Sequence, residues 1–236
     1  MKKHIFLITL FIIITLSAKS QFSVSYSAGY GSYEMGDMKN LLNNMANELG
    51  GQLPGIPVKV VDNFPGYVTH NLDLSYRIKR HEFGFRSTYM TTGGKIGYSD
   101  YTGEYSGKLT LNGYRIGLNY RYYVPVADFG KSGLLSFFAE LSPGITFSNL
   151  KSKEYIYLNI LEERQDTDDN IDMNANGVSL LPQIGVKWFL TPNIGIHVSG
   201  GYDFQLGSYF KYQGVKSNIK SDWSGLRING GVSFSW

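Results

Sequence analysis

The sequence predicts an all-β protein, an eight-stranded antiparallel up-and-down transmembrane β-barrel with long outer loops. Three observations predict it. Apolar residues recur with a period of two in eight segments. Glycine and aromatics are abundant, with 28 Gly, 18 Tyr, 14 Phe and 3 Trp in 236 residues, while only 17% of residues are charged. The connections between segments alternate between short and long. Average chains carry about 25% charge and about 7% glycine, so disorder, a coiled coil and a solvent-laced helical protein are disfavoured. The absence of cysteine excludes a disulfide scaffold, a thiolate metal site and a lipoprotein anchor.

Residues 1–20 read as a secretory signal peptide. Lys2 and Lys3 precede an apolar stretch from Ile5 to Leu16 that is too short to span a bilayer, and Ala18 and Ser20 suit cleavage before Gln21. The remaining domain is 21–236. Losing Lys2, Lys3 and Lys19 takes Lys+Arg from 22 to 19, equal to the 19 Asp+Glu. A neutral domain gives a nucleic-acid partner little electrostatic motive.

The segments follow in order. Ser23 to Tyr33 sets Val24, Tyr26, Ala28 and Tyr30 against serines and glycines. Tyr67 to Lys79 sets Val68, Leu72, Leu74, Tyr76 and Ile78 against Asn71, Asp73, Ser75 and Arg77. Glu82 to Thr92 sets Phe83, Phe85 and Tyr89 against Gly84, Arg86 and Thr88. From Leu109 to Val124, residues Tyr114, Ile116, Leu118, Tyr120 and Tyr122 face away from Arg115, Gly117, Asn119 and Arg121. Leu134 to Ser148 alternates Leu135, Phe137, Ala139 and Leu141 with Ser136, Phe138, Glu140 and Ser142, and Pro143 interrupts it. Val178 to Leu190 sets Val178, Leu180, Ile184, Val186 and Trp188 against Ser179, Gln183, Gly185 and Lys187. Ile194 to Tyr209 sets Ile194, Ile196, Val198, Tyr202, Phe204 and Leu206 against His197, Ser199, Gly201, Asp203 and Gln205. Trp223 to Trp236 sets Leu226, Ile228, Val232, Phe234 and Trp236 against Arg227, Asn229, Gly231, Ser233 and Ser235.

Short connections lie at Arg80-His81, Pro125 to Gly133 and Thr191-Pro192-Asn193, and long ones at 34–66, 93–108, 149–177 and 210–222. Short turns at one end, long loops at the other and an even strand count form the pattern of an outer-membrane barrel. A secreted soluble barrel shares the alternation with its apolar face turned inward. Three features favour lipid outside. The polar face is mostly Gly, Ser and Asn with a few charges, which suits a narrow packed lumen. Phe83, Phe85, Tyr120, Tyr122, Trp188, Phe234 and Trp236 gather near the short turns, as an interfacial girdle does. The last strand ends on an aromatic residue.

Asn229-Gly230-Gly231-Val232-Ser233-Phe234-Ser235-Trp236 matches the C-terminal signal read by the barrel-assembly machinery: polar Asn229, then Gly231, then Phe234 and Trp236 at alternate positions. With the leader and the eight segments, the chain resembles the small outer-membrane β-barrel proteins of Gram-negative bacteria, similar in architecture to the OmpA and OmpX transmembrane domains. The resemblance implies residence in the cell outer membrane, contact with its lipid and lipopolysaccharide, and the assembly machinery as a partner. No cofactor is expected. No peptidoglycan-binding domain is expected after the barrel, so cell-wall tethering is not implied.

The inward face offers Asp73, Glu140 and Asp203 against Arg77, Lys79, Arg86, Arg115, Arg121, Lys187 and Arg227. Side chains fill the lumen of an eight-stranded barrel, and an unpaired buried ion costs several kcal/mol. An ion-paired plug is therefore expected, with Glu140 pairing to Arg115 or Arg121; a narrow channel is the alternative. His197 and Ser199 resemble the H-x-S pair of outer-membrane lipid A deacylases, in which His activates Ser. Here Ile196 and Val198 claim the lipid face, and Gly200-Gly201 follow where that family has Asn, so packed interior residues are expected. Asp172, Asn174 and Asn176, followed by Gly177, reproduce the opening of a calcium loop, but Gln183 stands where the closing Glu belongs; with Asp166, Asp168 and Asp169 nearby, a solvated loop tip is expected. Residues 37–49 read as a helix with Met38, Leu41, Leu42, Met45 and Leu49 on one stripe, Asp37 as cap and Gly50-Gly51 as stop. It rests over the barrel mouth or offers an adaptable Met-rich patch.

The function expected is a non-catalytic outer-membrane barrel acting structurally or through a protein partner at its outer loops. A lipid A hydrolase using His197 and Ser199, a narrow channel and an accessory barrel of a secretion machinery are the alternatives.

Overall fold

A computed structural model describes residues 22–52, 58–101, 103–130, 133–158, 163–167, 173–212 and 215–236. The signal-peptide expectation and Asp172 lie outside these residues. In chain order the elements are β1 (Phe22–Gly31), α1 (Gly36–Gln52), β2 (Lys59–Asn63), β3 (Tyr67–Ile78), β4 (His81–Ser99), β5 (Gly103–Asp128), β6 (Leu134–Leu158), β7 (Glu163–Thr167), β8 (Met173–Phe189), β9 (Ile194–Leu206), β10 (Tyr209–Tyr212), β11 (Val215–Lys220) and β12 (Gly225–Ser235). Eight of these strands, β1, β3, β4, β5, β6, β8, β9 and β12, pair antiparallel in that order. The ring closes where β12 meets β1, from Ser23 opposite Ser235 to Gly31 opposite Arg227. This closed ring is the architecture of the small outer-membrane barrels, and among the described residues no helix is long and apolar enough to cross a membrane.

The faces are inverted relative to a soluble protein. Leu74, Phe85, Ile116, Leu118, Ile184 and Val198 are exposed on the outside, while Asp73, Arg86, Arg121, Glu140 and a lining of Ser, Thr and Asn are buried within. An exterior of this kind is stable only against lipid. Two aromatic bands bound it. Near the short turns, the His81 ring packs on Tyr122 (5.2 Å) and Tyr120, and Phe83 packs on Tyr120 (5.0 Å). At the other end Tyr26 Oη and His70 Nδ1 hydrogen-bond at 2.8 Å, and His70, Tyr89, Tyr114 and Phe147 lie opposite one another across four strands. On β5 the bands are the eight residues from Tyr122 to Tyr114 apart, about 27 Å of strand at ~3.4 Å per residue, or about 20 Å of height at a tilt of ~40°.

Beyond the upper band three long connections prove to be largely strand. The stretch 93–108 is no loop: β4 and β5 continue in unbroken register from His81 opposite Tyr122 to Ser99 opposite Glu104. β6 likewise runs to Leu158 straight through Pro143, with β7 on its edge. β10 and β11 form a hairpin on β8. The alternation persists there but changes sign, because above the membrane the outside meets water. Met90, Ile96, Leu109, Leu111 and Leu150 point inward and are buried, whereas Lys95, Lys108 and Lys151 point outward.

This upper interior is an ordinary hydrophobic core, and α1 lies in it. Met38 and Leu42 are fully buried, packed with Met35, Phe64, Met90, Ile96 and Trp223. The helix is therefore a lid held by its apolar stripe. Its start differs from expectation. Asp37 accepts a hydrogen bond from the Lys220 backbone N–H (3.1 Å), tying α1 to β11, while the carbonyl of Met35 accepts the first-turn bond from Lys39 (2.9 Å). Gly50 and Gly51 lie in the last turn of the helix, which is described to Gln52. Gly94 shows how close the fit is, since a Cβ there meets Leu42 at 2.6 Å and Phe64 at 2.8 Å. Leu42→Ala is expected to destabilise the outer end by about 2–5 kcal/mol. Surface protease on whole cells should then cut within 34–66, while the heat-modifiable barrel band persists.

Candidate functional site

The lumen is built by cross-strand pairs that the register sets directly opposite: Asp73 with Arg86, Glu82 with Arg121, Arg121 with Glu140, and Glu140 with Gln183. Arg86 holds Asp73 in a fork, Nε to Oδ1 at 2.7 Å and Nη2 to Oδ2 at 2.8 Å. It also donates to both oxygens of Glu140 and to Gln183 Oε1 (3.1 Å). Arg121 reaches three carboxylates, donating to Glu82 (2.9 Å), to Asp73 and to Glu140. Glu82 further accepts from Tyr123 Oη (3.1 Å), and Lys187 Nζ lies 4.0 Å away. Charge-assisted, partly bidentate bonds of this kind are the strong ones.

Arg77 seals the end near the short turns, its guanidinium lying 4.2 Å from the Phe189 ring centre and 5.0 Å from that of Tyr123. Lys79, by contrast, is not an inward residue: it sits exposed in the β3–β4 turn with φ of +57°. Arg115 also departs from its expected role. It donates to Ser179 Oγ (2.6 Å) and to the hydroxyl and carbonyl of Ser142, and not to Glu140. It lies six residues up β5 from Arg121, beyond the reach of the Glu140 carboxylate. Glu82 is an interior partner that the sequence reading left out, although it lies four residues before Arg86 and so shares its face.

Nearer the outer end Arg227 lies 3.4 Å from Asp203 and donates to the carbonyls of Ser32 (2.7 Å) and Trp223 (2.5 Å). Trp223, placed at the start of a strand by its apolar periodicity, instead precedes β12 and lies buried, donating from Nε1 to Ser148 Oγ (2.9 Å). Tyr33 packs edge-on against it at 4.8 Å, and burial pushes the Tyr33 phenol up to about 12, with the Arg227 guanidinium acting in the opposite sense.

His197 and Ser199 both line the lumen, buried on β9, while Val198 between them faces out. Room for the imidazole comes from Gly231 on β12, where a Cβ meets His197 Cε1 at 2.7 Å and the Tyr26 carbonyl at 2.4 Å. Of the terminal motif, Asn229 points inward and accepts from Thr69 (3.2 Å) and Asn71 (3.1 Å), whereas Phe234 and Trp236 project outward. Of the residues expected in a solvated loop tip, Asn174 and Asn176 belong instead to β8, opposite Asn149 and Phe147, while Asp168, Asp169 and Asp172 lie outside the described residues. Among the described residues no group of three His, Cys, Asp or Glu is placed to hold a metal.

Against protein-family models and curated proteins the chain shows no match. Among solved structures it is similar to Neisserial surface protein A, at 14% identity over 91% of this chain and 97% of that one, with a TM-score of 0.42. It is similar also to Ail, the attachment invasion locus protein of Yersinia pestis (13% identity, 93% and 100% coverage, TM-score 0.37), and to CarO2 of Acinetobacter baumannii (12%, 92% and 100%, 0.34).

Proposed function

We propose that this chain is a non-catalytic barrel of the outer membrane that acts through its outer end. The observation that carries the reading is the contrast between the two halves. The membrane half is filled by charged and polar side chains, most of the charges ion-paired and Arg115 held by serines, which leaves little for a solute to pass or a substrate to enter. The outer half carries four extra strands and a helix on a hydrophobic core of its own, far more structure than closing a barrel requires. His197 and Ser199 face this packed interior and have no lipid to act on.

The test replaces 95–108 by a two-residue turn. Both forms should assemble and give no stepwise conductance in planar bilayers, and lipid A should keep the same mass with or without His197→Ala. Crosslinks formed from the outer end on whole cells should disappear in the shortened form. Defined conductance steps, or a lipid A mass that depends on His197, would contradict this reading.

A further inference from the structure

Above the upper aromatic band the outward face of β2, β4, β5 and β6 is basic. Lys95 on β4 lies directly opposite Lys108 on β5, and Lys108 directly opposite Lys153 on β6. Lys151 lies two residues along β6 on the same face, and Lys59 on β2 lies opposite Gly97. Like charges directly opposite one another destabilise an antiparallel pair, and Lys108 has one on each side. With strands ~4.8 Å apart, the three lysine stems rise within about 10 Å of each other. Among the described residues the neighbouring carboxylates are Asp62, opposite Lys95, and Glu104, which accepts from Tyr155 Oη, and Lys153 is itself engaged by a neighbouring group, so Lys95 and Lys108 form the centre of the row. Gly93 and Gly97 flank Lys95 on the same face, so no side chain stands beside it along β4. Next to it a cleft of about 320 Å³ is lined by Lys59, Lys95, Gly97, Tyr98, Glu104 and Tyr105.

We propose that this lysine row binds the phosphate groups of the glycolipid in the surrounding leaflet. The proposal rests on the outer end being the interacting part and names its ligand. Phosphate is the anion that clustered lysine ammonium groups recognise as point charges. Position decides the source. Lys108 shares the outward face of β5 with Tyr114, six residues further on, about 20 Å along the strand or about 15 Å of height. The face is thus a direct continuation of the lipid-contacting wall. It looks sideways into the sugar-phosphate layer that the neighbouring lipids carry, and not upward into solution.

The test compares the native barrel with a triple variant, Lys95→Gln, Lys108→Gln and Lys153→Gln, and with the corresponding triple Lys→Arg variant, each checked for heat-modifiable migration. Each is reconstituted in vesicles containing lipopolysaccharide with its phosphates intact or removed by hydrofluoric acid, then extracted, and the retained lipopolysaccharide is weighed by mass spectrometry. The native and Arg forms should retain at least tenfold more phosphorylated lipopolysaccharide than the Gln form, and the difference should vanish with the dephosphorylated lipid. Equal retention by folded native and Gln forms would overturn the proposal. So would lysine-dependent binding of soluble inorganic polyphosphate without lysine-dependent retention of lipopolysaccharide, which would make a free polyanion the occupant. Loss of the proposed ligand with the outer-end crosslinks preserved would leave the surface role standing and reject only the ligand.

Discussion

Arg121→Met is expected to lower the stability of the refolded barrel by about 3–5 kcal/mol, the usual cost of removing one partner from a buried ionic cluster, read as a lower urea midpoint. Arg121 donates to Asp73, Glu82 and Glu140 together, so the substitution takes one guanidinium from three carboxylates at once, leaving Asp73 and Glu140 to share Arg86 and Glu82 with Arg77 as its nearest guanidinium. Adding Glu140→Gln should recover part of the loss, because one of the under-compensated charges is then gone. Glu140→Ala alone should cost less, since Arg86 keeps Asp73 and Arg121 keeps both Asp73 and Glu82. A midpoint unchanged in Arg121→Met would mean that water, and not this network, solvates the lumen.

The second large effect concerns the seam. A chain ending at Ser235 is expected to accumulate in the periplasm. Trp236 donates its backbone N–H to the carbonyl of Phe22 (3.0 Å) and carries the last ring of the lower aromatic band, 6.1 Å from Phe234. The resemblance of the last strand to the assembly signal implies that the assembly machinery would also read this residue. Normal levels of a heat-modifiable barrel in the outer membrane would reject that role.

The facing of nearly every ring strand was legible in the sequence, because lipid and lumen impose opposite chemistry on successive residues and the pattern runs for ten residues or more. What was not legible in the outer half shares one cause. Above the membrane the same strands continue with water outside, so the apolar residues move to the inward positions. On β5 this puts Leu109 and Leu111 inward but Tyr114 and Ile116 outward, with no bulge between them. Read as periodicity alone, the slip looks like the end of a strand and the start of a loop. Trp223 misled for the same reason, an apolar residue buried in the outer core and not presented to lipid. The lumen residues were legible as faces, and Arg121 was one of the two partners expected for Glu140, but the choice between the two was not legible. Glu140 reaches Arg121 and Arg86, not Arg115, because the register sets Arg121 directly opposite it, and register is not encoded in one strand's pattern.

The central claim, that the barrel is inverted within the membrane and filled inside, is tested most directly at Val198 and Ser199. These adjacent residues of β9 are 62% and 6% exposed on opposite faces of the wall. The native chain has no cysteine, so Val198→Cys and Ser199→Cys can each carry a single fluorophore in a refolded barrel in lipid vesicles containing spin-labelled acyl chains. The label at 198 should be strongly quenched, whereas position 199 should resist labelling or show little quenching. Quenching at 199 and not at 198 would contradict the account, turning His197 and Ser199 toward the bilayer.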